Sequence, residues 1–217
     1  ILVLQPDIGM TLMVVLTWGF QMFLAGMPML LVICIVALAP LGLVAAYFTL
    51  GHIHKRINQF WEGGAWQVEK ARDSFANGGL FGVGPGDGTV KHHLPDAHSD
   101  FIFAVAGEEF GALACLTLLT LYAFIVLRGF SRAMSDEGLF CLIASTSLLL
   151  QFGVQAAIHM ASSVHLIPTK GMTLPLISYG GSSLVASGLT MGLILAMTRR
   201  RAPYVFPSRR NLQEASS

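Results

Sequence analysis

Five long apolar stretches constrain this chain more than any other feature of its sequence. They cover approximately residues 8–25, 29–50, 101–127, 139–162 and 182–197. A helix needs about 20 apolar residues to cross the hydrocarbon core of a bilayer. Because 54% of all residues are hydrophobic and only 12% are charged, a water-soluble domain is excluded. We therefore predict an all-α polytopic membrane protein with about five transmembrane helices, forming a single membrane domain over residues 1–217.

The positions of the arginines predict how these spans are oriented. Arginines occupy residues 199–201 directly after the last stretch, and Arg128 and Arg132 follow the third. Cytoplasmic ends of membrane spans are enriched in Lys and Arg, so we expect a cytoplasmic tail at 199–217. Segments 51–100 and 163–181 then lie on the extracytoplasmic side. The formal net charge of +1 offers no basic face, so nucleic acid is not an expected partner.

The segment 51–100 has the composition of an ordered structure rather than of a linker. It carries several aromatic residues, a glycine cluster at 78–88 and five of the seven histidines. Long loops of this kind are usually functional, so we predict an ordered extracytoplasmic loop. The backbone N–H groups of the glycine stretch could bind a phosphate, or the glycines could simply form turns. The histidines match no familiar metal-binding spacing, and no metal site is predicted.

The segment 163–181 is predicted to be an irregular, broken segment on the same side. Residues 167–183 are largely apolar, yet two prolines and three glycines interrupt them. Irregular backbone occurs at membrane depth only where protein buries it or where it lines a water-filled cavity. Lys170 would place a cation in such a cavity, and Ser178, Tyr179 and Ser182 would offer hydroxyl groups. Lys170 could instead extend to water as an ordinary interfacial side chain.

Three carboxylates lie near the predicted outer end of the third span: Asp100, Glu108 and Glu109. Ionisable groups at membrane depth are candidates for function. They could equally complement the positive helix N-terminus, and Asp100 could cap it. Composition leaves both interpretations open.

Two of these segments resemble signature sequences of the SEDS proteins (shape, elongation, division and sporulation). They read LPDAHSDFIFAVAGEEFG at 94–111 and PTKGMTLPLISYGGSS at 168–183, and LQPDIG at 4–9 precedes them in the expected order. The second segment looks more like the cell-division branch of the family than the elongation branch. The resemblance covers essentially the whole chain but only the C-terminal half of a ten-span fold, so the chain is expected to be part of a longer protein.

The resemblance implies an activity, a substrate and partners. SEDS proteins are peptidoglycan glycosyltransferases that polymerise lipid II, an undecaprenyl-pyrophosphate-linked disaccharide peptide, at the outer face of the bacterial cytoplasmic membrane. They work with a class B penicillin-binding protein, and other membrane proteins of the division complex are expected partners. No cofactor is implied, although a divalent cation stays open.

The family's catalytic acid corresponds to Asp100, which follows Ser99 where Thr is usual. His159 stands where Asn is expected in many members. The residues predicted to bind the substrate are cationic or polar and flank Asp100 or occupy the two outer segments: Lys170, His98, Ser99, Arg72, Lys91, Ser178, Tyr179 and Ser182.

Two other functions are compatible with this sequence. A lipid II flippase would need a similar cavity, cations and broken helix. A non-catalytic scaffold of the division machinery would need neither Asp100 nor Lys170.

Overall fold

The computed structural model describes residues 8–49, 51, 54, 58, 66–94, 96–135, 138–167 and 171–199. Regular structure in these residues is helical throughout, with no strand. Six α-helices have defined bounds: α1 (Ile8–Leu24), α2 (Met29–Thr49), α3 (Trp66–Gly78), α4 (Ile102–Ala133), α5 (Leu139–Ser163) and α6 (Gly181–Met197). A short 3₁₀ helix covers Val90–His93.

Each predicted apolar stretch coincides with one helix, namely α1, α2, α4, α5 or α6. By length and composition, α4 and α5 can each cross a membrane, and α6 is a shorter apolar helix of 17 residues. The all-helical membrane architecture is thus confirmed, while the count of five spans, the domain boundaries and the sidedness stay predictions. One boundary differs clearly, because α4 continues to Ala133, beyond the predicted end at residue 127.

Helices α4 and α5 pack closely and form the main core. A Cβ atom on Gly129 would collide with the side chain of Leu149, so glycine permits the close approach. Tyr122 of α4 stacks on Phe152 of α5, with 5.5 Å between the ring centroids. Leu174, from the irregular segment after α5, completes the same buried cluster. The α4–α5 pair is therefore the support on which that segment rests.

Helix α4 is broken at Gly111, where φ is 79° and ψ is 179°. Among the amino acids, essentially only glycine adopts this conformation. The break separates two carbonyl groups from the two amides that would normally bind them, and the glycine-rich loop 79–84 supplies new partners. The four replacement bonds are Val83 N to Glu108 O (3.0 Å), Gly84 N to Glu109 O (3.1 Å), Ala112 N to Gly79 O (2.9 Å) and Leu113 N to Leu80 O (3.3 Å).

The loop lies directly against the helix backbone at this break. Gly82 has a φ of 82°, and a Cβ atom there would overlap the backbone of Glu109. Backbone polar groups in lipid must be satisfied within the protein, and here the loop satisfies them. Gly82 therefore serves close backbone contact, and so does Gly78, where a Cβ atom would overlap the backbone of Gly107 and Glu108.

Candidate functional site

Glu108 anchors the start of the 3₁₀ helix. Its side chain is fully buried, with 0% exposure. The carboxylate accepts four hydrogen bonds, from Asn77 Nδ2 (2.9 Å), Thr89 N (2.8 Å), Val90 N (2.9 Å) and Lys91 N (3.1 Å). Three consecutive backbone N–H groups, those of residues 89–91, thus bind the carboxylate of Glu108. Glu108 joins α3 and the 3₁₀ helix to α4.

The neighbouring carboxylate of Glu109 is paired with a predicted site residue. The Lys91 ammonium forms a short ion pair with Glu109 and also donates to the Gly86 carbonyl at 2.9 Å. Both side chains are mostly buried, at 13% and 14% exposure. Lys91 is therefore neutralised within the protein. Arg72, another predicted site residue, is exposed on α3.

Asp100 ends a tight turn immediately before α4. Its backbone N–H donates to the Asp96 carbonyl at 2.9 Å, and its side chain is half-buried. Residue 101 is a phenylalanine, and the structure shows no side-chain hydrogen bond that caps α4. The carboxylate oxygen Oδ2 instead faces Gly171, 3.3 Å from the position that a Cβ atom would take. A larger residue at 171 would crowd this carboxylate.

The irregular segment 171–180 is attached to the turn that carries Asp100. Ser178 is buried, with 4% exposure, and its hydroxyl donates to the Ser99 carbonyl at 2.6 Å. The same oxygen accepts from Leu174 N at 2.7 Å. The Tyr179 N–H donates to the His98 carbonyl at 2.9 Å. Residues 98–100 therefore contact the segment at two places, at Ser178 and Tyr179 and at Gly171.

Side chains of α4 and α5 hold the other side of this segment by its carbonyl groups. His159 Nδ1 lies 2.6 Å from Met172 O, and Gln155 Nε2 donates to Thr173 O at 3.0 Å. The Tyr122 hydroxyl donates to the Pro175 carbonyl in a short hydrogen bond. Carbonyls that a helix would satisfy internally are satisfied here by side chains, as irregular backbone in a membrane requires.

An open groove of about 510 Å³ lies beside this junction. Apolar side chains line most of it, from Ile102, Leu176, Ile177 and Leu184. His98, Ser178 and Tyr179 also line it, and the Tyr179 side chain is 82% exposed. A groove with an apolar wall and a polar group at one end suits an amphiphilic ligand.

The structure brings five of the predicted site residues together: His98, Ser99, Asp100, Ser178 and Tyr179. Ser182 is exposed in the first turn of α6, and Lys170 lies outside the described residues. Neither Arg72 nor Lys91 belongs to the described wall of the groove. Their assignment to the substrate, like that of the other residues, stays a prediction.

The sequence interpretation missed the side chains that hold the segment in place. Gln155 and Tyr122 were not singled out, and Glu108 was considered for its charge alone. Gln155 and His159 are four residues apart in an apolar helix, so they share one helix face. Two polar residues with this spacing were the available signal.

Comparison with known proteins places the chain in a family. The sequence model of the FtsW/RodA/SpoVE cell cycle proteins matches residues 1–202. The chain belongs to this family, as the resemblance predicted. A probable peptidoglycan glycosyltransferase FtsW from Caulobacter vibrioides is 42% identical over 204 residues, which are 93% of this chain and 52% of that protein.

Two solved structures share the fold. A chain from a peptidoglycan synthase complex superposes with a TM-score of 0.75 at 28% identity, covering 91% of this chain and 57% of the other. A mutant of the rod-shape-determining protein RodA from Thermus thermophilus gives 0.58 at 27% identity, covering 93% and 53%. The chain spans about half the length of the curated relatives it matches.

Proposed function

We propose that this chain forms part of a peptidoglycan glycosyltransferase that polymerises lipid II during bacterial cell division. The observation that carries this function is the half-buried Asp100 carboxylate, which faces Gly171 beside an apolar groove. The relatives named as probable peptidoglycan glycosyltransferases support the same activity.

The chemistry needs one base and one cationic site. A sugar hydroxyl of one chain attacks the anomeric carbon of a lipid-linked sugar, a new C–O bond forms, and the bond to the diphosphate breaks. Asp100 accepts the hydroxyl proton, and undecaprenyl diphosphate leaves with the electron pair. Because a diphosphate leaves without strong protonation, a second catalytic carboxylate is not required.

Lys170 is the cation that we assign to the diphosphate. A cation near a low-dielectric wall attracts an anion more strongly than one in open water. Lys91 is a weaker candidate than the sequence suggested, because Glu109 already neutralises it. The hydroxyls of Ser99, Ser178, Tyr179 and Ser182 and the imidazole of His98 are assigned to the headgroup, while the groove receives part of the polyprenyl chain.

The proposed glycosyltransferase function also implies protein partners. We infer that the enzyme works with a class B penicillin-binding protein and other membrane proteins of the division complex. One of the structural neighbours comes from a peptidoglycan synthase complex that couples polymerisation with crosslinking, which supports such a partner. The arginines near the C-terminal end of α4 and directly after α6 support an extracytoplasmic site and a cytoplasmic C-terminus.

The activity is tested with the purified full-length protein, its penicillin-binding partner and lipid II in detergent micelles. We expect glycan strands, resolved by gel electrophoresis, and none from the partner alone. Micelles do not separate two aqueous compartments, and a flippase makes no polymer, so it would give no product in this assay. Transport of lipid II across vesicles without any polymer in micelles would contradict the enzyme assignment.

The sidedness is tested by thiol labelling at one position that precedes α4, next to the 3₁₀ helix, and at one position that follows α4. In a background without Cys34, Cys115 and Cys141, we expect Thr89→Cys to react with a membrane-impermeant reagent in spheroplasts. Ser135→Cys, in the turn after α4, should react only after the membrane is opened. Both positions are exposed, so different labelling reports location rather than burial. The opposite pattern would place Asp100 on the cytoplasmic side.

A further inference from the structure

His159 occupies a position that the proposed chemistry does not yet explain. Its side chain is fully buried, with 0% exposure, inside an apolar helix. Its Nδ1 atom contacts the Met172 carbonyl at 2.6 Å. Its Nε2 atom is buried and has no hydrogen-bond partner in the described part of the chain. A buried nitrogen without a hydrogen-bond partner is unfavourable. An apolar residue would therefore be more favourable at this position unless the other nitrogen, Nδ1, has a specific role.

The contact fixes which nitrogen carries the proton. A carbonyl oxygen only accepts hydrogen bonds, so the proton must reside on Nδ1, an assignment made from the hydrogen-bond partner. Gln155, one turn earlier on α5, donates to the next carbonyl, that of Thr173. The two side chains together hold consecutive peptide groups of the irregular segment. This fixes the direction of the backbone at residues 172 and 173.

The residue that precedes this fixed backbone, Gly171, lies against Asp100. Gly171 precedes Met172, has a φ of 61°, and faces the Asp100 carboxylate. A continuous series of contacts therefore joins the buried imidazole to the carboxylate. Shifts of about 1 Å in a reacting group can lower a rate by about 100-fold.

We propose that His159 is a positioning residue for the glycosyltransferase reaction, whose Nδ1–H holds the Met172 carbonyl and so keeps Gly171 against the Asp100 carboxylate. This role rests on the proposed function of Asp100. It concerns the placement of the base, so it affects turnover more than the capture of lipid II. The operative group is one N–H donor at a defined position.

The chain offers a direct test of that donor. In asparagine, the amide Nδ2 is bonded to Cγ, as Nδ1 is in histidine, so His159→Asn retains a donor at the same position. His159→Leu places methyl groups there and removes the donor. In the full-length enzyme we expect His159→Leu to lower kcat by about 10- to 100-fold, with KM for lipid II changed by less than about 3-fold. His159→Asn should keep kcat within about 3-fold of the wild type.

A matched control comes from the same helix. Ser163 is fully buried, but its hydroxyl donates to the His159 carbonyl within α5 and does not hold the segment. Ser163→Ala should leave kcat nearly unchanged. If His159→Leu does not fold, His159→Gln replaces it, because its amide nitrogen lies one bond further from the backbone. Its kcat should then fall well below that of His159→Asn.

Several results would overturn the positioning role. The first is a wild-type kcat in His159→Leu, or an effect of that variant confined to KM. The second is a His159→Asn variant that is inactive or unfolded. The third is an equal kcat for His159→Gln and His159→Asn. A second readout separates this role from the proposed function. Hydrogen exchange at residues 171–178 should rise in His159→Leu and not in His159→Asn. If the wild type makes no glycan, the function fails, while the exchange data still decide whether His159 holds the segment.

Discussion

Asp100→Asn in the full-length protein is expected to abolish glycan synthesis while leaving lipid II binding intact. Asparagine keeps the size of the side chain and removes the charge that accepts the hydroxyl proton. Loss of a positioned base typically lowers the rate by about 100- to 10,000-fold. The measurement is the initial rate of polymerisation in micelles, with lipid II binding and thermal unfolding measured on the same preparation.

The same turn provides the control. Asp96 is an exposed aspartate with a φ of 54°, and asparagine tolerates this conformation well. Asp96→Asn makes the same chemical change four residues away and should retain activity. If Asp100→Asn polymerises lipid II within a few-fold of the wild type, Asp100 is not the base. Glu108 would be a poor replacement, because its carboxylate is already bound by four N–H groups.

Glu108→Gln is expected to destabilise the folded protein strongly. The glutamine side chain has one acceptor oxygen in place of two, and its NH₂ group would face backbone N–H donors. Hydrogen bonds to a charged group contribute about 1.5–3 kcal/mol each, so the loss should reach about 3 kcal/mol. We expect a lower Tm in detergent and less monodisperse protein on size exclusion. Activity should fall with the amount of folded protein.

Glu109→Gln is the matched comparison for this effect. Glu109 is the next residue on α4, and its carboxylate pairs with Lys91, with 13% and 14% of the two side chains exposed. The amide oxygen of glutamine can still accept a hydrogen bond from the Lys91 ammonium, which also donates to the Gly86 carbonyl, so the Tm should fall less than in Glu108→Gln. Equal Tm values for Glu108→Gln and Glu109→Gln would contradict the anchoring role of Glu108.

Local patterns in the sequence were sufficient to predict the five apolar helices. Long apolar runs bounded by Gly, Pro or charge correspond to α1, α2, α4, α5 and α6 because hydrophobicity and helix length are local properties. The end of α4 was predicted too early because Arg128 and Arg132 were taken as loop residues. A helix can continue beyond the apolar region when its last turns reach a polar environment.

The position of Asp100 was predicted from motifs, but its surroundings were not. Gly171 lies against Asp100, and His159 and Gln155 bind the two carbonyls that follow Gly171. These contacts join different elements of the chain, and no periodicity encodes such pairings. The break at Gly111 is similar. The sequence around it reads as continuous helix, and only the fold shows that loop 79–84 replaces its hydrogen bonds.

The junction at Gly111 also sets an order of events during biosynthesis. The two carbonyls and two amides released at the break cannot remain without partners once α4 enters lipid. Loop 79–84 precedes α4 in the chain, so the ribosome has already made it when the helix leaves the translocon. We therefore expect the N-terminal part of α4 to reach its final structure in the membrane only together with a segment synthesised before it. Membrane insertion and tertiary folding are then expected to be coupled at this position.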